Sequence, residues 1–213
     1  MGDSITEGQY IDPAVRWTSL IAHRLAERFG ADRFTSVNRG VSGETTRMGL
    51  ERYPRDVQQE EPDLLTIQYG LNDCNCWVTD RGVPRVSPEA FVANLVEMVE
   101  RGRVFGAREI VMATNHRTLR RAVLPSGQAY EDANADYSEL LREVASRTGV
   151  VLCDIRRAFE PFSDEELDAL LLPHPDHLHL SEQGNAVYAG AIWPSIERAM
   201  DSLLRSSDLG VPA

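Results

Sequence analysis

The sequence predicts an open α/β fold, a sheet of parallel strands with helices on both faces. Apolar runs of strand length at 63–69, 109–113 and 150–155 alternate with helix-period segments at 13–29, 87–103 and 130–148. Such alternation builds a parallel sheet through helical crossovers. The 63–69 run lacks the strict in/out alternation of a sheet with one wet face, which suits a strand buried on both faces. Gly40, Asn72 and His116 each fall on a loop directly after a strand candidate. Sheets of this kind carry their ligand-contacting loops at the carboxyl ends of the strands.

Taken in order, residues 13–29 place Trp17, Leu20, Ile21, Leu25 and Phe29 at helical spacing, and Gly30 ends the helix. Residues 33–38 form a short extended candidate running into a loop at 39–43, and 45–59 read as a helix interrupted near Pro54. The loop from Gly70 to Val86 is long and carries Trp77, Gly82 and Pro84, and loops of that length are often functional. Ser87, Pro88 and Glu89 supply an N-cap, a first-turn proline and an acid suited to the helix dipole. Later elements are a strand at 109–113, a helix at 130–148 closed by Gly149 and a strand at 150–155. A short helix follows at 164–172, and a last helix at 181–204 has a bend expected at Pro194.

The chain of 213 residues is the size of one domain, spanning 1–213, with 42% hydrophobic and 26% charged residues as in globular proteins. Its 22 basic and 33 acidic residues give a net charge of −11, which repels phosphate backbones and anionic membranes, so nucleic-acid binding is excluded. No apolar run approaches the roughly 20 residues of a transmembrane helix. The polar, turn-like start does not read as a signal peptide. Cys74, Cys76 and Cys153, odd in number and without Cys-x-x-Cys spacing, fit free thiols in a reducing compartment, so a cytoplasmic location is expected.

Ser4 stands between small and polar residues, Gly2, Asp3, Thr6 and Gly8, where a chain can turn sharply into a helix. A serine hydroxyl is a weak nucleophile until an oriented base takes its proton. The dense histidine cluster at 174–180 offers that base: Asp176 precedes His179 by three residues, so its carboxylate can hold Nδ1–H and leave Nε2 for the serine. Two other readings of the cluster stand beside it, solvated surface polar residues and a metal site of His174, His177 and His179, the latter without a clear fourth ligand. For an oxyanion, Gly40 offers a backbone N–H that a substrate can approach closely, and Asn72 a side-chain amide. Taken singly, Gly40 also reads as a turn glycine and Asn72 as an Asx-turn residue.

In order, the blocks Gly2-Asp3-Ser4, Asn38-Arg39-Gly40, Gly70-Leu71-Asn72-Asp73 and Asp176-x-x-His179 resemble the SGNH hydrolase superfamily, also called GDSL esterases and lipases, over residues 2–190. The resemblance implies Ser4 as nucleophile, His179 as general base and then acid, and Asp176 as the orienting carboxylate. It implies an oxyanion hole of the Ser4 and Gly40 N–H groups and the Asn72 side chain, and no metal or organic cofactor. The implied fold is a flavodoxin-like three-layer α/β/α sandwich. Members of the superfamily carry a buried strand immediately before the Gly-Asp-Ser turn; here Met1 directly precedes Gly2, so the first strand is missing. Either the chain begins late or the sheet has closed up around the gap.

The expected activity is hydrolysis of small carboxylic esters through an acyl-enzyme. Carbohydrate deacetylation and thioester hydrolysis use the same machinery, and a non-catalytic binding domain of the same fold is the alternative outside enzymes. The pocket is expected to draw on the Trp77 loop and on Thr114, Asn115 and His116.

Overall fold

A computed structural model describes residues 1–208. Three parallel strands, β1 (Leu64–Gln68), β2 (Glu109–Ala113) and β3 (Val151–Cys153), pair in that order, with Leu64 opposite Glu109 and Val111 opposite Val151. The helices are α1 (Ser4–Glu7), α2 (Trp17–Phe29), α3 (Thr46–Tyr53), α4 (Pro88–Val104), α5 (Tyr130–Thr148), α6 (Ile155–Phe159), α7 (Asp164–Leu170) and α8 (Glu182–Asp208). α2 packs on α8, which lies against β2 and β3, while α3 packs on α4 and α4 on α5, which also meets β2 and β3. This is the expected α/β/α arrangement. Ile67, Val111 and Met112 are fully buried between the layers, as strands covered on both faces require.

The local signals act as read. Ser87 caps α4 by accepting from the Ala90 N–H, and Gly149 closes α5 in the left-handed conformation. The interruption expected near Pro54 is present, and several boundaries differ: the strand expected at 150–155 ends at Cys153, with Ile155 opening α6, and α7 stops at Leu170. The 13–29 segment is a 3₁₀ turn (Pro13–Val15) and then α2, broken at an extended Arg16. The 45–59 segment is α3 followed by a wide π turn (Pro54–Gln58), because Pro54 has no N–H to continue the ladder. Pro194 sits inside an unbroken α8.

The sheet continues beyond β1 through the first two residues. Gly2 bridges in parallel to Gln68 on one side and to Gly40 on the other. The lateral order is therefore the 40-segment, Gly2, β1, β2, β3, the flavodoxin-like order. The Met1 amine donates to Thr66 C=O at 3.0 Å and Gln68 N–H to Met1 C=O at 3.2 Å. Burial, aided by Arg52, lowers that amine's pKa to about 5.

A cavity of about 460 Å³ is lined by Leu64, Thr66 and the 33–38 segment together with Trp17, Ile21, Ile196 and Met200. The expected strand at 33–38 is accordingly corrected: Ala31–Arg33 is a 3₁₀ turn and 34–38 is extended but joins no ladder. The segment lines the cavity, and a strand needs a neighbour to pair with. The 39–41 stretch is held instead by Arg52, a largely buried guanidinium paired with Glu44 and Asp56 at 2.6 Å that also donates to Arg39 C=O at 2.8 Å. Together these contacts fix the turn that enters α1.

Candidate active site

Ser4 is the first residue of α1. Asp3 caps that helix, its Oδ1 accepting from the Ile5 N–H at 2.9 Å, and Gly8 ends it after one turn. Below α1 a buried polar chain runs from Thr6 Oγ1 to Gln68 Oε1 at 3.0 Å and from Gln68 Nε2 to Asn115 Oδ1 at 3.1 Å, tying the turn to the sheet. The histidine loop is anchored from the other end of the chain. Ser181 donates through Oγ to Ala169 C=O at 2.8 Å and accepts from Gly184 N–H at 3.1 Å, while His179 C=O accepts from Leu172 N–H at 2.7 Å.

These anchors bring Ser4, His179 and Asp176 together. His179 Nε2 lies 2.9 Å from Ser4 Oγ, and Nδ1 lies 2.7 Å from Asp176 Oδ2. The other carboxylate oxygen, Oδ1, accepts from the Leu178 and His179 N–H groups at 2.9 and 2.6 Å. Burial acts to raise the Asp176 pKa, but these hydrogen bonds outweigh it and hold the carboxyl below its ordinary range. The ionised carboxylate selects the tautomer with the proton on Nδ1, leaving Nε2 to accept the Ser4 hydroxyl proton. Tyr10 lies edge-on to the His179 ring, centroids 5.5 Å apart.

A cleft of about 110 Å³ opens beside Ser4 and His179, and Gly43, Asn72, Asn75, Arg120 and Tyr130 are among its lining residues. Asn72 stands where the sequence placed it. Gly40 does not. Its N–H is taken by Asn38 Oδ1 at 2.8 Å, and a Cβ there would come within 2.1 Å of the Glu7 nitrogen and 2.6 Å of the Thr6 carbonyl carbon. Gly40 is thus a close-packing glycine beneath α1, outside the cleft. The cleft residues of that loop are Ser42 and Gly43, the latter in a left-handed turn (φ +77°) with open space where a Cβ would project. Among the described residues the Gly43 N–H has no acceptor. The sequence signal that could have found it is the turn pair Ser42-Gly43 just ahead of the α3 cap. Buried Asp73 locks that loop to the Asn72 loop by accepting from Thr46 N–H at 2.8 Å and Thr46 Oγ1 at 2.6 Å; burial lifts its pKa to about 6.

A further expectation is corrected. Thr114, Asn115 and His116 are buried and line no part of the cleft; His116 Nε2 instead meets Leu178 C=O at 2.8 Å from beneath the His179 loop. Its burial lowers its pKa to about 4, so the ring is neutral. The long loop does contribute to the cleft as expected, through Asn72 and Asn75. The histidines 174, 177 and 179 do not converge on one point. His179 is engaged at both nitrogens, and His177 Nε2 lies 3.1 Å from Asp168. Cys74, Cys76 and Cys153 are all free and buried.

A flavodoxin-like α/β/α scaffold with serine, histidine and aspartate hydrogen-bonded in a row beside a small cleft defines a serine-hydrolase-like class of protein. Comparison with known proteins narrows it. The GDSL-like Lipase/Acylhydrolase family model matches residues 1–187. The uncharacterized lipoprotein YqeF of Bacillus subtilis is 30% identical over 89% of this chain and 85% of its own length. Esterase TesA of Pseudomonas aeruginosa is 32% identical over 53% of this chain and 51% of its own. Among solved structures, an alpha/beta hydrolase enzyme from the metagenome of Lake Arreo, Spain, superposes with a TM-score of 0.74 at 27% identity, over 91% of both chains. This chain belongs to the GDSL-like lipase/acylhydrolase family.

Proposed function

We propose that the protein hydrolyses small carboxylic esters through an acyl-enzyme. The observation that carries this reading is the row Asp176–His179–Ser4, with hydrogen bonds of 2.7 and 2.9 Å. Ser4 Oγ attacks the ester carbonyl carbon while His179 Nε2 takes its proton; the imidazolium, held by Asp176, then protonates the departing alkoxide. Water repeats the sequence on the acyl-enzyme and releases the acid. As the first residue of α1, Ser4 has an N–H without an acceptor inside the helix. That N–H, the Gly43 N–H and Asn72 Nδ2 are the donors for the oxyanion, with Gly43 in the place first assigned to Gly40.

A cleft of about 110 Å³ favours a short acyl group, and no step calls on a metal or organic cofactor. Deacetylation of a carbohydrate and thioester hydrolysis remain within reach of the same residues, since fold and triad do not choose the leaving group. The net charge of −11 argues against nucleic acid as a partner. No helix of the described residues is long and apolar enough to cross a membrane. Three free, buried thiols support a cytoplasmic location, set against a relative named as a lipoprotein; cell fractionation decides between them.

The test is hydrolysis of p-nitrophenyl acetate by the protein beside its Ser4→Ala variant, with fluorophosphonate labelling of both. Turnover and labelling are expected to vanish together in the variant. A folded wild-type protein with neither would establish a binding domain instead.

A further inference from the structure

We propose that Arg85 is a positioning residue for the oxyanion site: its guanidinium holds the Asn72 amide and the Gly43 turn so that their N–H groups are presented to the substrate carbonyl oxygen. The inference rests on the hydrolase reading above. One nitrogen, Arg85 Nη1, donates to Gly43 C=O at 3.0 Å and to Asn72 Oδ1 at 3.3 Å, bridging two loops 29 residues apart in sequence. A side-chain amide has two ends of nearly equal shape, one donor and one acceptor. A cation on Oδ1 decides which end remains for a ligand, and here it is Nδ2. Holding the Gly43 carbonyl likewise restricts rotation at a residue that has no side chain to restrict it.

Arg85 is itself held in place. Its backbone N–H donates to Asn75 C=O at 2.8 Å, and its guanidinium lies 4.6 Å from the centre of the Trp77 ring, which explains an indole left 55% exposed on this loop. Among the described residues no carboxylate pairs with Arg85. The buried Asp73 carboxylate feels its charge without forming an ion pair with it, and Arg85 stands beside the groups that meet the developing oxyanion. Arg85 touches neither substrate nor reacting atoms in this account. It acts through Asn72 and Gly43.

The test measures kcat and KM for p-nitrophenyl acetate in wild type, Arg85→Ala, Arg85→Lys, Asn72→Ala and the Arg85→Ala/Asn72→Ala double variant, with circular dichroism on each. Asn72→Ala should lose roughly 100- to 1000-fold in kcat, as for a missing oxyanion donor, and Arg85→Ala a smaller share, about 10- to 100-fold, with KM moving by less than about threefold. The double variant should lose at least about fivefold less than the product of the single losses, because one residue works through the other. Millimolar guanidinium should restore part of the Arg85→Ala turnover and none of the Asn72→Ala turnover. Arg85→Lys, which keeps the charge but not the fork, should fall between wild type and Arg85→Ala; it carries the comparison if Arg85→Ala does not fold. A folded Arg85→Ala variant with kcat within about twofold of wild type, or single losses that simply multiply in the double variant, overturns the proposal; should Arg85→Ala not fold, Arg85→Lys at the wild-type kcat does so. If wild-type turnover does not depend on Ser4, the hydrolase reading falls and this proposal with it; Ser4-dependent turnover that ignores Arg85 overturns this proposal alone.

Discussion

Replacing Asp176 with asparagine isolates the tautomer argument from the fold. In the native site the carboxylate accepts three hydrogen bonds, from the Leu178 N–H at 2.9 Å, the His179 N–H at 2.6 Å and His179 Nδ1–H at 2.7 Å. An asparagine keeps its carbonyl oxygen toward the two backbone donors, so the loop retains its anchors and stability should change by no more than about 1 kcal/mol, the worth of one ordinary hydrogen bond. Its amide nitrogen then faces Nδ1 as a donor, and the imidazole responds by carrying its proton on Nε2. That nitrogen can no longer accept from Ser4, now 2.9 Å away and blocked by the proton between them. The loss of the base and of the anion that stabilises the imidazolium should lower kcat by about 10⁴-fold, equivalent to roughly 5.5 kcal/mol in the barrier. Steady-state hydrolysis of p-nitrophenyl acetate, with thermal unfolding of the same samples, measures both quantities. A folded variant retaining more than about a tenth of the wild-type kcat would mean that another group orients His179, and the reasoning from Asp176 would be wrong.

The remaining predictions concern the turn around Ser4. Gly40→Ala should destabilise the protein by about 1–3 kcal/mol and disturb activity through α1, since its methyl group would press on the Glu7 nitrogen and Thr6 carbonyl carbon. Gly43→Ala, with open space for its methyl but a positive φ, should cost only about 1 kcal/mol. Chemical denaturation of the pair checks the contrast, and equal losses would refute the separation of packing glycine from cleft glycine. Asp3 gives a pH dependence: burial raises its pKa from 3.8 to about 7, so the folded chain holds a proton that the unfolded chain releases. Its contribution is therefore full below pH 4 and is lost as the pH rises through 7, by at most about 4 kcal/mol. The stability difference between wild type and Asp3→Asn, measured by urea unfolding at several pH values, should shift in the variant's favour across that window; parallel curves would show that Asp3 does not titrate there.

How much of this was legible beforehand depended on distance along the chain. Asp176 and His179 lie three residues apart, and a single turn brings a carboxylate onto the imidazole, so their partnership is written locally. The Ser87 and Gly149 caps are local in the same sense, each decided by side-chain or φ chemistry within a few residues. The parallel sheet follows from the alternation of apolar runs and amphipathic helices, because few other packings bury both. The 33–38 segment shows the limit of that logic, since extended local preference makes a strand only where a neighbouring chain offers its backbone groups. The two loop glycines show it at the site. Gly40 and Gly43 are three residues apart and chemically identical, and which amide remains free was decided by the Asn38 side chain two residues before Gly40, itself held by Thr6 C=O of α1 more than 30 residues earlier in the chain. Arg85 carried no local sign of its place, because its two acceptors come from loops that meet only when β1 and the turn before α3 are assembled. The sequence by itself determined the fold class, the family, and which serine, histidine and aspartate stand hydrogen-bonded in one row. The tertiary structure alone decided which amides face the cleft and what holds them there, since the partner of a hydrogen bond is set by packing between distant segments and not by the residue that offers it.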